Sequence, residues 1–154
     1  MKTKTIGLTL ALSVATAAIC FAANPTEGTW KLNESKSTFG DGAGKSTKVV
    51  WAKAGHQQKC TVDGTDAEGK RTHSVWTGKL DGKDYPITGD AQSDTRSFKM
   101  NGENTLDMVS KKNGKVVGEG TIVVAEGKKT RTVTSTITNA KGAKVTSTSF
   151  YDKS

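Results

Sequence analysis

At 154 residues the chain has room for one domain of ordinary size. Its formal net charge of +8 lies on scattered lysines and arginines, with only short pairs such as Lys70-Arg71, Lys111-Lys112 and Lys128-Lys129. That pattern predicts a solvated basic surface, with a polyanion or anionic membrane surface as the sharper alternative, and nucleic acid is not expected as a partner. Of two cysteines, Cys20 falls in an apolar leader, so Cys60 stands alone and no intrachain disulfide is expected.

The leader comes first. Lys2 and Lys4 make a basic start, Ile6 to Phe21 is apolar and small, and Ala22 and Ala23 follow before Asn24-Pro25. This is the plan of a secretory signal peptide, with cleavage expected after Ala22 or Ala23. The apolar run is too short and too interrupted for a membrane span. A lipid-modified Cys20 is the rival reading, but Ile19 stands where such a site wants a small residue. Residues 1–23 are therefore read as a cleaved signal and residues 24–154 as one soluble, monomeric domain in the periplasm or outside the cell. No transmembrane span is expected in it, and loss of Lys2 and Lys4 lowers the net charge to +6.

From Asn24 onward no helical period appears. Short Thr/Val-rich segments alternate with Gly, Asp and Asn, which predicts strands near 28–33, 46–53, 56–63, 70–80, 84–88, 95–100, 104–111, 115–125, 130–138 and 143–151. Between the first two, Phe39 to Trp51 has the letters of a phosphate-binding loop. Gly40 to Gly44 is one residue short of that spacing, and Thr47-Lys48-Val49-Val50-Trp51 after it is β-rich, not a helix start. A flexible glycine loop is expected there. Asn113-Gly114 is the strongest turn signal, since a two-residue type I′ turn needs positive φ at both positions. Nearly every connection is of hairpin length, which leaves no room for parallel crossovers. The expected fold is all-β: a single up-and-down antiparallel meander of about 9–10 strands closed into a β-barrel, because closure removes both edges.

Register follows from the turns. A turn at Ala54-Gly55 sets Trp51 opposite Gln58 and Val49 opposite Cys60. A turn over Gly64 to Gly69 sets Cys60 opposite His73 and Gln58 opposite Val75. One face then collects Val49, Trp51, Cys60, Val62, His73 and Val75, and is taken as inner because a one-residue slip would bury lysines. The same reasoning points Phe98, Met100, Leu106, Met108, Val117, Val123, Val133, Ile137, Val145 and Tyr151 inward, with Gln58, Arg96, Glu119 and Arg131 as polar companions. Trp76 falls outside and is unexplained.

His56, Cys60 and His73 invite a metal reading, but His56 and Cys60 are roughly 13 Å apart along a strand. No metal, cofactor or catalytic set is expected, and no nucleophile–base pair has an orienting carboxylate.

Gly28-Thr29-Trp30 resembles the G-x-W signature of the lipocalin and fatty-acid-binding-protein superfamily, whose Trp plugs one barrel end. Thr121 to Val124, the turn at Glu126 to Lys129 and Ser149-Phe150-Tyr151-Asp152-Lys153 resemble the last three strands of fatty-acid-binding proteins. The G-T-W-K-L-N start and Asp81 to Gly89 are similar to small secreted bacterial proteins. The resemblance implies a lipocalin-like barrel. Two of the family's positions differ: Ser149 stands where it carries an Arg, and Val124 near its carboxylate-binding Arg. Glu34 to Lys45 has no length for its helical lid. Tyr151 matches, with Arg131 set opposite by register.

The functional expectation is a non-catalytic carrier of a small apolar or anionic amphiphilic ligand. Arg131 and Tyr151 would hold the polar end with Arg96 as helper, and the candidate cavity is Trp51, His73, Val75, Phe98, Met108 and Val133. The alternative is an envelope interaction or structural module whose barrel is filled.

Overall fold

The computed structural model describes residues 24–154, so the expected signal peptide lies outside the described residues. Ten strands follow one another: β1 (Gly28–Thr38), β2 (Lys45–Ala54), β3 (Gln57–Thr65), β4 (Arg71–Gly78), β5 (Tyr85–Thr88), β6 (Thr95–Met100), β7 (Thr105–Lys112), β8 (Lys115–Val124), β9 (Thr130–Thr138) and β10 (Lys144–Lys153). Each pairs antiparallel with the next, and β10 returns to β1, closing the barrel. Among the described residues there is no helix.

Turn chemistry explains much of this. Asn113 and Gly114 have φ of 51° and 75°, as a type I′ hairpin requires. Asp66 organises the β3–β4 loop, its carboxylate accepting from the amides of Glu68 and Lys70. The Gly40 to Gly44 stretch is a turn leading into β2, not a strand-to-helix loop. The β2–β3, β4–β5, β6–β7 and β8–β9 connections lie at one end with both termini. The other connections lie at the far end.

Two register expectations are corrected. Ala54 pairs with Gln57, so the tight turn is Gly55-His56 and Trp51 faces Cys60, not Gln58. That slip is two residues and leaves the inner face intact. The second is odd: the five-residue 66–70 loop sets Cys60 opposite Trp76 and Asp63 opposite His73. Trp76 therefore points inward and is 1% exposed, while His73 and Val75 point outward. On β8 a bulge resets the alternation, so Gly118, Gly120, Ile122 and Val124 face in. Glu119 and Val123 are exposed, against expectation.

The terminal half of the interior is filled by apolar side chains. Trp51, Trp76 and Phe98 pack edge to face, with Phe98 4.9 Å from Trp51 and 4.7 Å from Trp76 between ring centroids. Trp30, Leu106, Val124 and Tyr151 complete it. The far half differs. Gly64, Ser74, Ser110, Gly118, Ser135 and Ser147 line it with small side chains. Inward residues such as Val62, Met108, Val133 and Ile137 stay partly exposed, so solvent reaches the interior from that end.

Candidate functional site

β9 reads Thr-Arg-Thr-Val-Thr-Ser-Thr-Ile-Thr from Thr130 to Thr138. The threonines occupy the outer face, and the alternation carries Arg131, Val133, Ser135 and Ile137 inward. Arg131 is consequently 2% exposed. Its guanidinium lies between two rings, 4.8 Å from the Trp30 centroid and 4.8 Å from Tyr151. Trp30 is held by its indole N–H, which donates to the Thr26 carbonyl at 2.6 Å. Tyr151 pairs with Arg131 across the ladder, and its hydroxyl donates to the Ser46 carbonyl at 2.9 Å. Tyr151 thus offers Arg131 a ring rather than a spare hydroxyl, a correction to the expected donor.

Arg131 Nε and Nη1 are buried without a hydrogen-bond partner. Trp51 Nε1, also inward, is the third such atom among the described residues. Burial pulls the Arg131 guanidinium down to about 10, opposed by Tyr151 and Cys60. Glu119 cannot neutralise it, because that carboxylate is on the outer face. Cys60 lies on the same inner face, its thiol pushed up to about 12 by burial, with Arg96 and Arg131 opposing.

Arg96 is differently placed. Its Nη2 is 3.0 Å from Asp90 Oδ2 and its Nε donates to Ser110 Oγ at 2.9 Å. Asp90 is fixed in the 89–94 loop, where it also accepts from the Gln92 amide and the Ser93 hydroxyl. Arg96 is therefore committed to a loop at the far end, whereas Arg131 is, among the described residues, the arginine whose buried donors have no partner.

Of the sequence-derived candidates, Trp51, Arg96, Phe98, Met108, Arg131, Val133 and Tyr151 face one interior. His73 and Val75 do not. His73 sits outside, its Nδ1 2.6 Å from Asp63 Oδ1, and Val75 lies between Thr61 and Thr88 on the outer face. Trp30 and Trp76 are interior tryptophans absent from the candidate cavity. Trp76 donates its N–H to the Arg96 carbonyl at 2.8 Å. An unexplained surface Trp was itself a signal that the assumed β4 register was wrong. No group of three or more His, Cys, Asp or Glu placed to hold a metal ion occurs among the described residues.

No protein-family model matches the sequence, and no curated protein matches it. Solved structures do. The structure of EF1p2_mFAP2b bound to DFHBI aligns with 86% of this chain and 97% of its own, at 13% identity and a TM-score of 0.52. The chain has the barrel fold. A redesigned β-barrel, mFAP1, bound to DFHBI aligns with 86% of this chain and 98% of its own, at 16% identity and a TM-score of 0.48. At 13% identity the first of these likenesses speaks for architecture alone, and the expected single antiparallel meander closed into a β-barrel stands.

Proposed function

We propose that the protein is an exported, non-catalytic carrier of a small anionic amphiphile. Its anionic group is held at Arg131, and its apolar body runs past Val133 and Met108 towards the far end. The observation behind this reading is the pair of buried, partnerless donors on Arg131. A buried cation costs several kcal/mol unless paired, and a carboxylate meets a guanidinium fork with two hydrogen bonds. The rings of Trp30 and Tyr151 hold the fork in place. The barrel matched above was solved bound to DFHBI, in keeping with a barrel interior used for a small molecule.

The test is a fluorescence titration of dansyl undecanoic acid against the wild type and Arg131→Met. Binding by the wild type, weakened at least about tenfold in the variant, supports the reading. Equal affinity in both proteins would show that Arg131 merely braces Trp30.

The aromatic filling of the terminal half favours a second reading, an envelope module that binds another protein. Native mass spectrometry of protein purified from its own host separates the two. A retained small molecule speaks for the carrier; an apo mass with a co-purifying protein speaks for the module.

A further inference from the structure

We propose that anionic amphiphiles enter and leave this barrel sideways, between β8 and β9 at the far end, across a threshold marked by lysines. The inference rests on the carrier reading above. β8 begins at Lys115, but its pairing with β9 starts only at Gly118 opposite Ile137. On its other side, Ser110 pairs with Gly118 and Lys111 with Val116, which leaves Val117 as an extra, bulged residue. A bulge bends its strand and interrupts the ladder, and barrel rims are where bulges are often found.

The β7–β8 hairpin is also anchored away from β9. The Asn113 amide donates to Asp94 Oδ2 at 2.8 Å, the Asp94 amide to the Lys111 carbonyl at 2.9 Å, and Lys112 Nζ to the Ala91 carbonyl at 3.5 Å. These bonds tie the hairpin to the 89–94 loop, on the side opposite the β9–β10 hairpin.

Where the strands part, a cleft of about 210 Å³ opens. Gly118 and Ile137 in its wall point into the barrel, whereas Thr136, Thr138 and Lys144 point out. The cleft sits where the β8–β9 ladder ends, with residues of both faces in its wall. Gly118 leaves the space beside Ile137 free, since a Cβ there would lie 3.3 Å from Ile137 Cγ2. Val116, 51% exposed, puts an apolar side chain at the mouth.

Lys144 lines the cleft, and Lys115 pairs with Lys112 across the adjoining turn. Among the described residues, none of these three ammonium groups has a carboxylate in ion-pair range. Glu119 is the one carboxylate in the cleft wall. Apolar contact beside unpaired positive charge suits a hydrocarbon chain with an anionic head, and positive charge at a mouth speeds the approach of anions.

The test is stopped-flow fluorescence with dansyl undecanoic acid on the whole protein. A disulfide between Val117→Cys and Thr138→Cys closes the parting. Oxidised, it is expected to slow association and dissociation roughly tenfold each while leaving the Kd nearly unchanged, and reductant should restore both rates. Independently of whether that disulfide forms, Lys115→Glu with Lys144→Glu should cut the association rate roughly threefold at low salt and flatten its dependence on ionic strength. If the wild type binds the probe and neither change moves the rates, the side entrance is overturned while the carrier reading survives. If the wild type binds no anionic amphiphile, the carrier reading falls and the entrance falls with it.

Discussion

Cys60 gives the residue scale a measurable signature. In the fold its thiol ionises near pH 12, against 9.0 for an unperturbed cysteine, so between these values the folded state holds an extra proton and stability falls as pH rises. Arg131 works the other way above about 10, where the folded protein has lost a proton that an unperturbed arginine keeps to 12.5. The interval from pH 9 to 10 therefore belongs to Cys60. Urea midpoints should show the wild type losing roughly 1 kcal/mol across that interval relative to Cys60→Ser; parallel curves would mean that the thiol is not buried as described. The side-chain directions on β4 are equally testable. Trp76→Ala should cost roughly 3–5 kcal/mol and His73→Ala within about 0.5 kcal/mol, since one empties an interior cluster and the other trims an exposed pair. Comparable losses in both would restore the register first expected from the sequence.

At the scale of elements, most strands were legible because their ends carry turn chemistry. Asn113-Gly114 and Gly55 announce their hairpins through the positive φ that they adopt. Loop length was less legible. A five-residue loop and a six-residue loop look alike in sequence, yet the difference of one residue turned His73 and Trp76 to opposite faces. The bulge at Val117 was hidden for the same reason, because an extra residue in a Val-Val-Gly run leaves no compositional trace, and it misplaced Glu119 and Val123. Arg131 was legible because nine alternating residues admit only one parity. Its unused donors were not, since they depend on where Glu119 and Asp90 end up. Another bulge, at Thr47 on β2, brings Gly64 against the Lys45 backbone, so that a Cβ there would strike the Lys45 carbonyl oxygen. Gly64→Ala is expected to cost roughly 2–4 kcal/mol in chemical denaturation. A loss below about 0.5 kcal/mol would show that β2 and β3 can slide apart there.

Across the whole molecule the barrel wall is uneven. β5 has four residues and only two paired positions with each neighbour, Val75–Thr88 and Trp76–Ile87 on one side, Tyr85–Arg96 and Pro86–Thr95 on the other. β9 and β10 share nine. Hydrogen exchange should find the amides of β5 opening at lower free energy than those of β9 and β10. Equal protection would mean that Ile87, packed in the core, holds the segment as firmly as a full ladder.

The return of β10 to β1 sets how the chain must reach this state. Nine of the ten strand pairings join neighbours in sequence and can form as local hairpins. The tenth joins Trp30 to Lys153 and Leu32 to Tyr151, across nearly the whole domain. Until that seam forms, both of its edges stay unpaired and the Trp30–Arg131–Tyr151 stack has no third member. The entropic cost of bringing the ends together thus falls on a single late event, and its reward arrives there too. Such a chain can assemble hairpin by hairpin, yet its wall encloses an inside only after its last strand has joined its first.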